Sequence, residues 1–141
     1  MRELVQHHVS GQLKVAPEHT ADNVLKLMGK PPIRNLPVFK NIFEKLTAAA
    51  GKKQFLTYYF IAAHPGCTDE DMRQLKSFAT KELKTNPEQV QIFTPLPSTW
   101  SALMYWTGID PFSGKKIFIE IDSAKKQRQK NIIAPQIRNK Y

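Results

Sequence analysis

Cys67 is the only thiol in a chain of 141 residues. That scarcity excludes an internal disulfide, a Cys-only zinc site and a self-contained iron–sulfur cluster. It fits a reducing compartment, so a cytoplasmic location is expected. Long apolar runs are also missing. FLTYYFIAA, residues 55–63, stops at nine residues, well short of the ~20 a membrane helix needs, and no membrane partner is expected. MRELVQHHVSGQ carries no apolar core segment, so no signal peptide is expected either. The six glycines are scattered, and none builds a phosphate-cradling loop. His7, His8, His19 and His64 fall in no HExxH spacing and have no cysteine partners, which argues against a zinc site. No metal-ligating set is assigned, no Ser-His-Asp order stands out, and the catalytic residues stay unassigned.

Negative charge is scarce too: 12 acidic residues face 21 basic ones, for a net charge of +9. The excess is uneven. Residues 115–141 hold eight basic residues against Glu120 and Asp122, or +6 of the +9. Such an end reads as a solvated, loosely packed extension from about Lys125 onward. It also reads as a contact for nucleic acid or another polyanion.

What is present centres on residues 55–71, FLTYYFIAAHPGCTDED. The first nine residues are aromatic, β-branched and nearly all apolar, as expected of a strand covered on both faces. His64-Pro65-Gly66 ends it, since proline cannot continue a ladder and glycine permits a positive φ. Thr68 reads as an N-cap with Asp71 three residues on, and Asp69 and Glu70 suit the helix dipole. Ahead of this stretch, residues 3–9 read as the end of a helix and QLKVA, 12–16, as a strand. Thr20 reads as the cap of a helix with Val24, Leu27 and Met28 on one face. A helix over 36–50 carries a stripe of Phe39, Ile42, Phe43 and Leu46. Behind the stretch, a helix burying Met72, Leu75, Phe78, Ala79 and Leu83 leads to a third strand over 89–94. WSALMYWTG reads as a short helix, DPFSGK as a turn, and KIFIEI alternates as a strand does.

Strands alternating with helices predict an α/β fold with a parallel sheet and right-handed crossovers. The order expected is the strands near 12–16, 55–63 and 89–94 side by side. Three strands make a small sheet, so a piece of a larger one, a partial parallel (β/α) barrel or an open sheet, is expected, with about three β/α units plus a C-terminal extension. The units fall in residues 1–114 and the basic extension in 115–141. Ligands in such sheets bind where strands end and helices begin.

Three segments go beyond a generic α/β pattern: GQLKVAPEHTADNVLKLMGKP (11–31), AAHPGCTDEDM (62–72) and QVQIFTPLPSTWSALMYWTGIDPFSGK (89–115). Together they resemble the C-terminal half of YgiQ-type radical SAM proteins, in order and spacing, over roughly residues 2–135. The resemblance implies a (β/α)6 radical SAM barrel, of which this chain holds the last three strands, with S-adenosylmethionine (SAM) and a [4Fe–4S] cluster as cofactors. The family's CxxxCxxC loop is absent from these residues, so the cluster would lie on an upstream half-barrel acting as partner. The chain alone would then be inactive.

The resemblance also implies cofactor contacts. Glu18, after LKVAP, takes the place of the polar residue that reaches the ribose or amino group. Lys30 takes that of the cation facing the methionine carboxylate. On the central strand Tyr59 stands where many relatives have aspartate, and Ala63 and Cys67 where a glycine and a glutamate are usual. His64 ends that strand, and Phe93 and Thr94 mark where backbone groups meet adenine. Plainer readings stand beside these. Glu18 also reads as a cap of the helix near Thr20, Lys30 as surface charge, and His64 as a structural turn residue. Cys67 lies just before a helix start, where its pKa would be lowered. The rival functional class is a small basic α/β module binding RNA or another polyanion.

Overall fold

The computed structural model describes residues 1–87 and 89–134. Its centre is a sheet of β1 (Gln12–Glu18), β2 (Phe55–Ala62) and β3 (Gln89–Ile92), all parallel, in the order β1-β2-β3. The expected strand order and direction are thus observed. Between β1 and β2 run α1 (Asp22–Leu27) and α2 (Asn35–Ala49). Between β2 and β3 runs α3 (Asp69–Phe78), continued by a π-helical segment, Ala79–Leu83. A further π-helical turn, Leu4–His8, precedes β1, and α4 (Trp100–Thr107) and α5 (Ser123–Ile133) follow β3.

Alternation along β2 settles how the layers stack. Tyr58, Phe60 and Ala62 are buried, whereas Thr57, Tyr59 and Ile61 are half-buried. The buried set meets Val24 of α1, Met72 and Leu75 of α3, Leu83, Val90 of β3 and Ile133 of α5 in one core. A second cluster joins Val5, Val9 and Phe43 of α2 beneath the start of the sheet. All the core helices therefore lie on one side. The expectation of a strand covered on both faces is corrected: the other face is polar and partly open. Gln12 donates across to Thr57 at 2.7 Å, and Tyr59 donates to Gln91. An apolar run of nine residues leaves this face unmarked because tyrosine and threonine suit both a core and a half-wet surface.

Several local expectations hold. Thr68 and Asp71 form a reciprocal capping box at the start of α3, and α4 starts at Thr99, whose hydroxyl accepts from Ala102 N–H at 3.1 Å. Others are corrected. The N-cap of α1 is Ala21, not Thr20 or Glu18, and no side chain caps it directly; instead His19 Nδ1 accepts the Ala21 N–H at 3.0 Å. The buried residues of α2 are Phe43 and Thr47, with Ile42 44 % exposed, because the helix packs through Phe43 on the Val5 and Val9 cluster. KIFIEI forms no strand: apart from a bridge between Lys116 and Ile109, no strand among the described residues pairs with it. The extension is not loosely packed as far as Ala134. α5 lies against α3, β2 and β3, and Gln129 and Ile133 are buried. Arg138 and Lys140 fall outside the described residues.

Candidate functional site

β1 and β2 each end in a sharp change of direction made by a residue that is not glycine, and a third such residue lies in the loop after β3. Glu18 has φ 66°, Ala63 φ 57°, and Ser98, beyond β3, φ 62°. L-residues in this left-handed region are uncommon and gather at sites where the surrounding structure enforces them. At β1 the cause is an extra residue: Val15 pairs with Tyr58 but Glu18 with Phe60, a bulge that re-aims Glu18. At β2 the enforcing contacts come from far along the chain. Gln129 Oε1 of α5 accepts the Ala63 N–H at 3.0 Å, its Nε2 donates to Cys67 O at 3.2 Å, and Gly66 N–H donates to Phe118 O at 2.7 Å. Gly66 itself, at φ 83°, sits so close to α1 that a Cβ there would lie 2.3 Å from Leu27 Cδ1.

These strand ends surround a cleft of about 440 Å³, within the usual range for small-molecule sites. Five of the six sequence-expected residues line it: Glu18, Tyr59, His64, Phe93 and Thr94. Lys30 does not. Its ammonium is turned to Glu18 at 3.1 Å and to Ala16 O at 3.2 Å, so it touches the cleft only through that carboxylate. The walls are apolar, from Met28, Ile61, Ile92, Phe93 and Leu96.

His64 is the most constrained of these residues. Pro65 O can only accept, so Nδ1 carries the proton across their 2.9 Å contact, and Nε2 accepts from the Ser101 hydroxyl at 2.8 Å. Burial pushes the pKa of His64 down to about 4, so the ring is neutral near pH 7. Its ring meets Phe93 edge-on at 5.0 Å. The result is a neutral imidazole of fixed tautomer holding a serine hydroxyl at the cleft.

Ser101 and Gln91 were not singled out from the sequence. Gln91 had a signal, because the two-residue period of β2 and β3 puts Tyr59, Ile61 and Gln91 on one face. Ser101 had none, since its place depends on how α4 folds back over the strand ends. Cys67 corrects another expectation. It is fully buried, and burial raises its thiol to about 12 despite the helix start beside it. His19, held near 4 by burial, donates through Nε2 to its sulfur at 3.4 Å, and Cys67 S–H points to Gln129 Oε1 at 3.5 Å. This cluster is a satisfied polar core behind the turn, with no exposed nucleophile. Among the described residues no group of three or more His, Cys, Asp or Glu is placed to hold a metal ion.

A UPF0313 protein of Fusobacterium nucleatum is 56% identical over 140 residues, covering 99% of this chain. This stretch of chain belongs to the UPF0313 family. A UPF0313 protein of Porphyromonas gingivalis is 46% identical over 127 residues, 90% of the chain, and one of Thermotoga maritima 46% over 120 residues, 85% of it. The chain spans only 25%, 20% and 21% of the length of these three relatives. No family model matches it. Among the described residues, no helix is long and apolar enough to cross a membrane.

Proposed function

We propose that these residues form the SAM- and substrate-pocket half of a radical SAM barrel, completed by an upstream half-barrel that holds the [4Fe–4S] cluster. The observation that supports this best is the cleft at the C-terminal ends of three parallel strands. Its chemistry suits an adenosyl ligand. An anionic carboxylate, hydroxyls and an amide stand against an apolar wall, and Glu18 can accept hydrogen bonds from ribose hydroxyls. Backbone groups at Phe93 and Thr94 can meet the edge of adenine. Lys30 becomes available to a ligand carboxylate only by loosening its bond to Glu18, a point contact weaker than the fork an arginine would give. His64, neutral near pH 7, holds the Ser101 hydroxyl through Nε2. SAM held here would supply the hydrogen-abstracting radical, given one electron from the cluster of the upstream half-barrel.

The chain's own donor set does not fit the cluster. Ligation takes several thiolates, and Cys67, the one thiol, is enclosed in the core. Alone, the chain is expected neither to hold a cluster nor to cleave SAM. The experiment is to co-express it with the remaining portion of a UPF0313 polypeptide, reconstitute anaerobically with iron and sulfide, and assay 5′-deoxyadenosine. The assembly should be active, with Glu18→Ala weakening SAM binding at least about tenfold, the loss of one charged hydrogen-bond acceptor. Stoichiometric cluster and product from the chain alone, or an assembly that binds no SAM, overturns the proposal.

The rival reading, a basic module for RNA, draws on the +9 charge. Two of the cations on α5 are already engaged within the fold: Arg128 with Asp69 at 2.7 Å, and Lys126 with the Tyr105 hydroxyl at 2.7 Å. Binding to RNA that falls steeply with salt would favour it.

A further inference from the structure

The cleft has an apolar neighbour that its own chemistry does not use. α4 buries Ala102 and Met104 but leaves Trp106 76 % exposed, Trp100 59 % and Leu103 44 %, beside Leu96 and Phe112. Trp100 and Phe112 pack ring against ring at 5.1 Å, so the exposed surface is continuous across the turn after α4. Leu96, Trp100, Leu103 and Trp106 line a shallow groove with Pro95 and Pro97. Soluble proteins seldom present several large apolar side chains together without a partner.

We propose that this face is the docking surface for the part of a UPF0313 polypeptide that lies outside these residues, and that docking there walls the open side of the cleft. Length is the first argument. Relatives are four to five times longer than the stretch matched here, so most of the polypeptide is left to cover it. Charge is the second. In a chain of net +9, residues 93–114 contain one charged side chain, Asp110, which is itself tied to Ser113 and the Phe112 N–H. A polyanion would find nothing to pair with on this face, whereas an apolar protein surface would. Continuity is the third: Leu96 and Thr99 line both the groove and the cleft, so whatever covers one borders the other. Pro95 and Pro97 lack N–H donors, so the partner docks through side chains rather than by adding a strand. Trp100, Trp106 and Phe112 are the anchors, since aromatic side chains dominate interface energetics.

The inference rests on the family's length and not on the radical SAM reading, and its test needs no SAM chemistry. The chain assembled with the remaining UPF0313 portion is footprinted with hydroxyl radicals, using the same assembly unfolded in urea as reference. Trp100, Trp106 and Phe112 should each oxidise at least about tenfold more slowly in the folded assembly. Protection should persist on dilution to single copies and after nuclease treatment in high salt. Trp106→Glu should restore oxidation of Trp100 and Phe112. Oxidation equal to the unfolded reference overturns the proposal. So does protection lost on dilution while the two portions stay associated, which would mean a second copy of the assembly, or protection lost with nuclease and salt, which would mean nucleic acid. An assembly that is protected here yet makes no 5′-deoxyadenosine leaves this inference standing and removes the other.

Discussion

Gln129→Leu tests whether the C-terminal helix holds the site together. Leucine has nearly the volume of glutamine, so the change opens little cavity. What it removes is polar. The Ala63 N–H loses an acceptor at 3.0 Å and the Cys67 carbonyl a donor at 3.2 Å, both behind a residue only 1 % exposed. Each buried group left unpaired costs about 1–3 kcal/mol, so the variant should lose about 2–6 kcal/mol. That is a large share of the stability of ~5–15 kcal/mol usual for a domain. Gln127→Leu is the control: Gln127 is exposed on the same helix and its side chain bonds, among the described residues, to Asn131 at 2.8 Å, and its loss should stay within about 0.5 kcal/mol. Urea unfolding followed by fluorescence reads both. If Gln129→Leu matches Gln127→Leu, α5 does not fasten the turn, and the account of how His64 is positioned fails.

Two further outcomes follow from the buried histidines and thiol. His19 and His64 titrate near 4 when folded and near 6.5 when unfolded, so the unfolded chain takes up protons first as pH falls. Stability should be level above about pH 6.5, decline toward pH 4 and level off below it, by up to about 3 kcal/mol for each histidine. Urea midpoints measured against pH should show this slope, reduced in His64→Asn; an identical slope in that variant would refute the assignment. Cys67, with its thiol raised to about 12, should resist iodoacetamide in the native chain at mildly alkaline pH and react on unfolding. Equal rates in the two states would mean that the cluster around it is open.

The sheet was legible because each strand is a short stretch rich in strand-forming residues with a proline at or near its end, and the Thr68 box because its partners are local. The strand ends then gave most of the cleft. Lys30 was misplaced because nothing local shows that Glu18, turned by a bulge, would claim it. α5 was hidden for a different reason. SAKKQRQKNII has no apolar stripe, and its docking depends on Gln129 and Ile133 meeting partners on α3 and the strands. KIFIEI misled in the opposite way, since alternation makes a strand only where a neighbouring edge is available to pair with it.

The fastening of the turn from α5 also sets an order of events. Gln129 lies 62 residues beyond Cys67, and closing a loop of that length costs on the order of 4 kcal/mol in chain entropy. Chains emerge from the ribosome N-terminus first. β1, β2 and α3 are therefore exposed to the cell while the turn that carries His64 has no clamp. Readiness to bind comes as a single late event, when α5 arrives and closes the loop. An interruption of synthesis between Ile92 and Gln129 would release a chain that has all three strands of the sheet but lacks the clamp on its pocket.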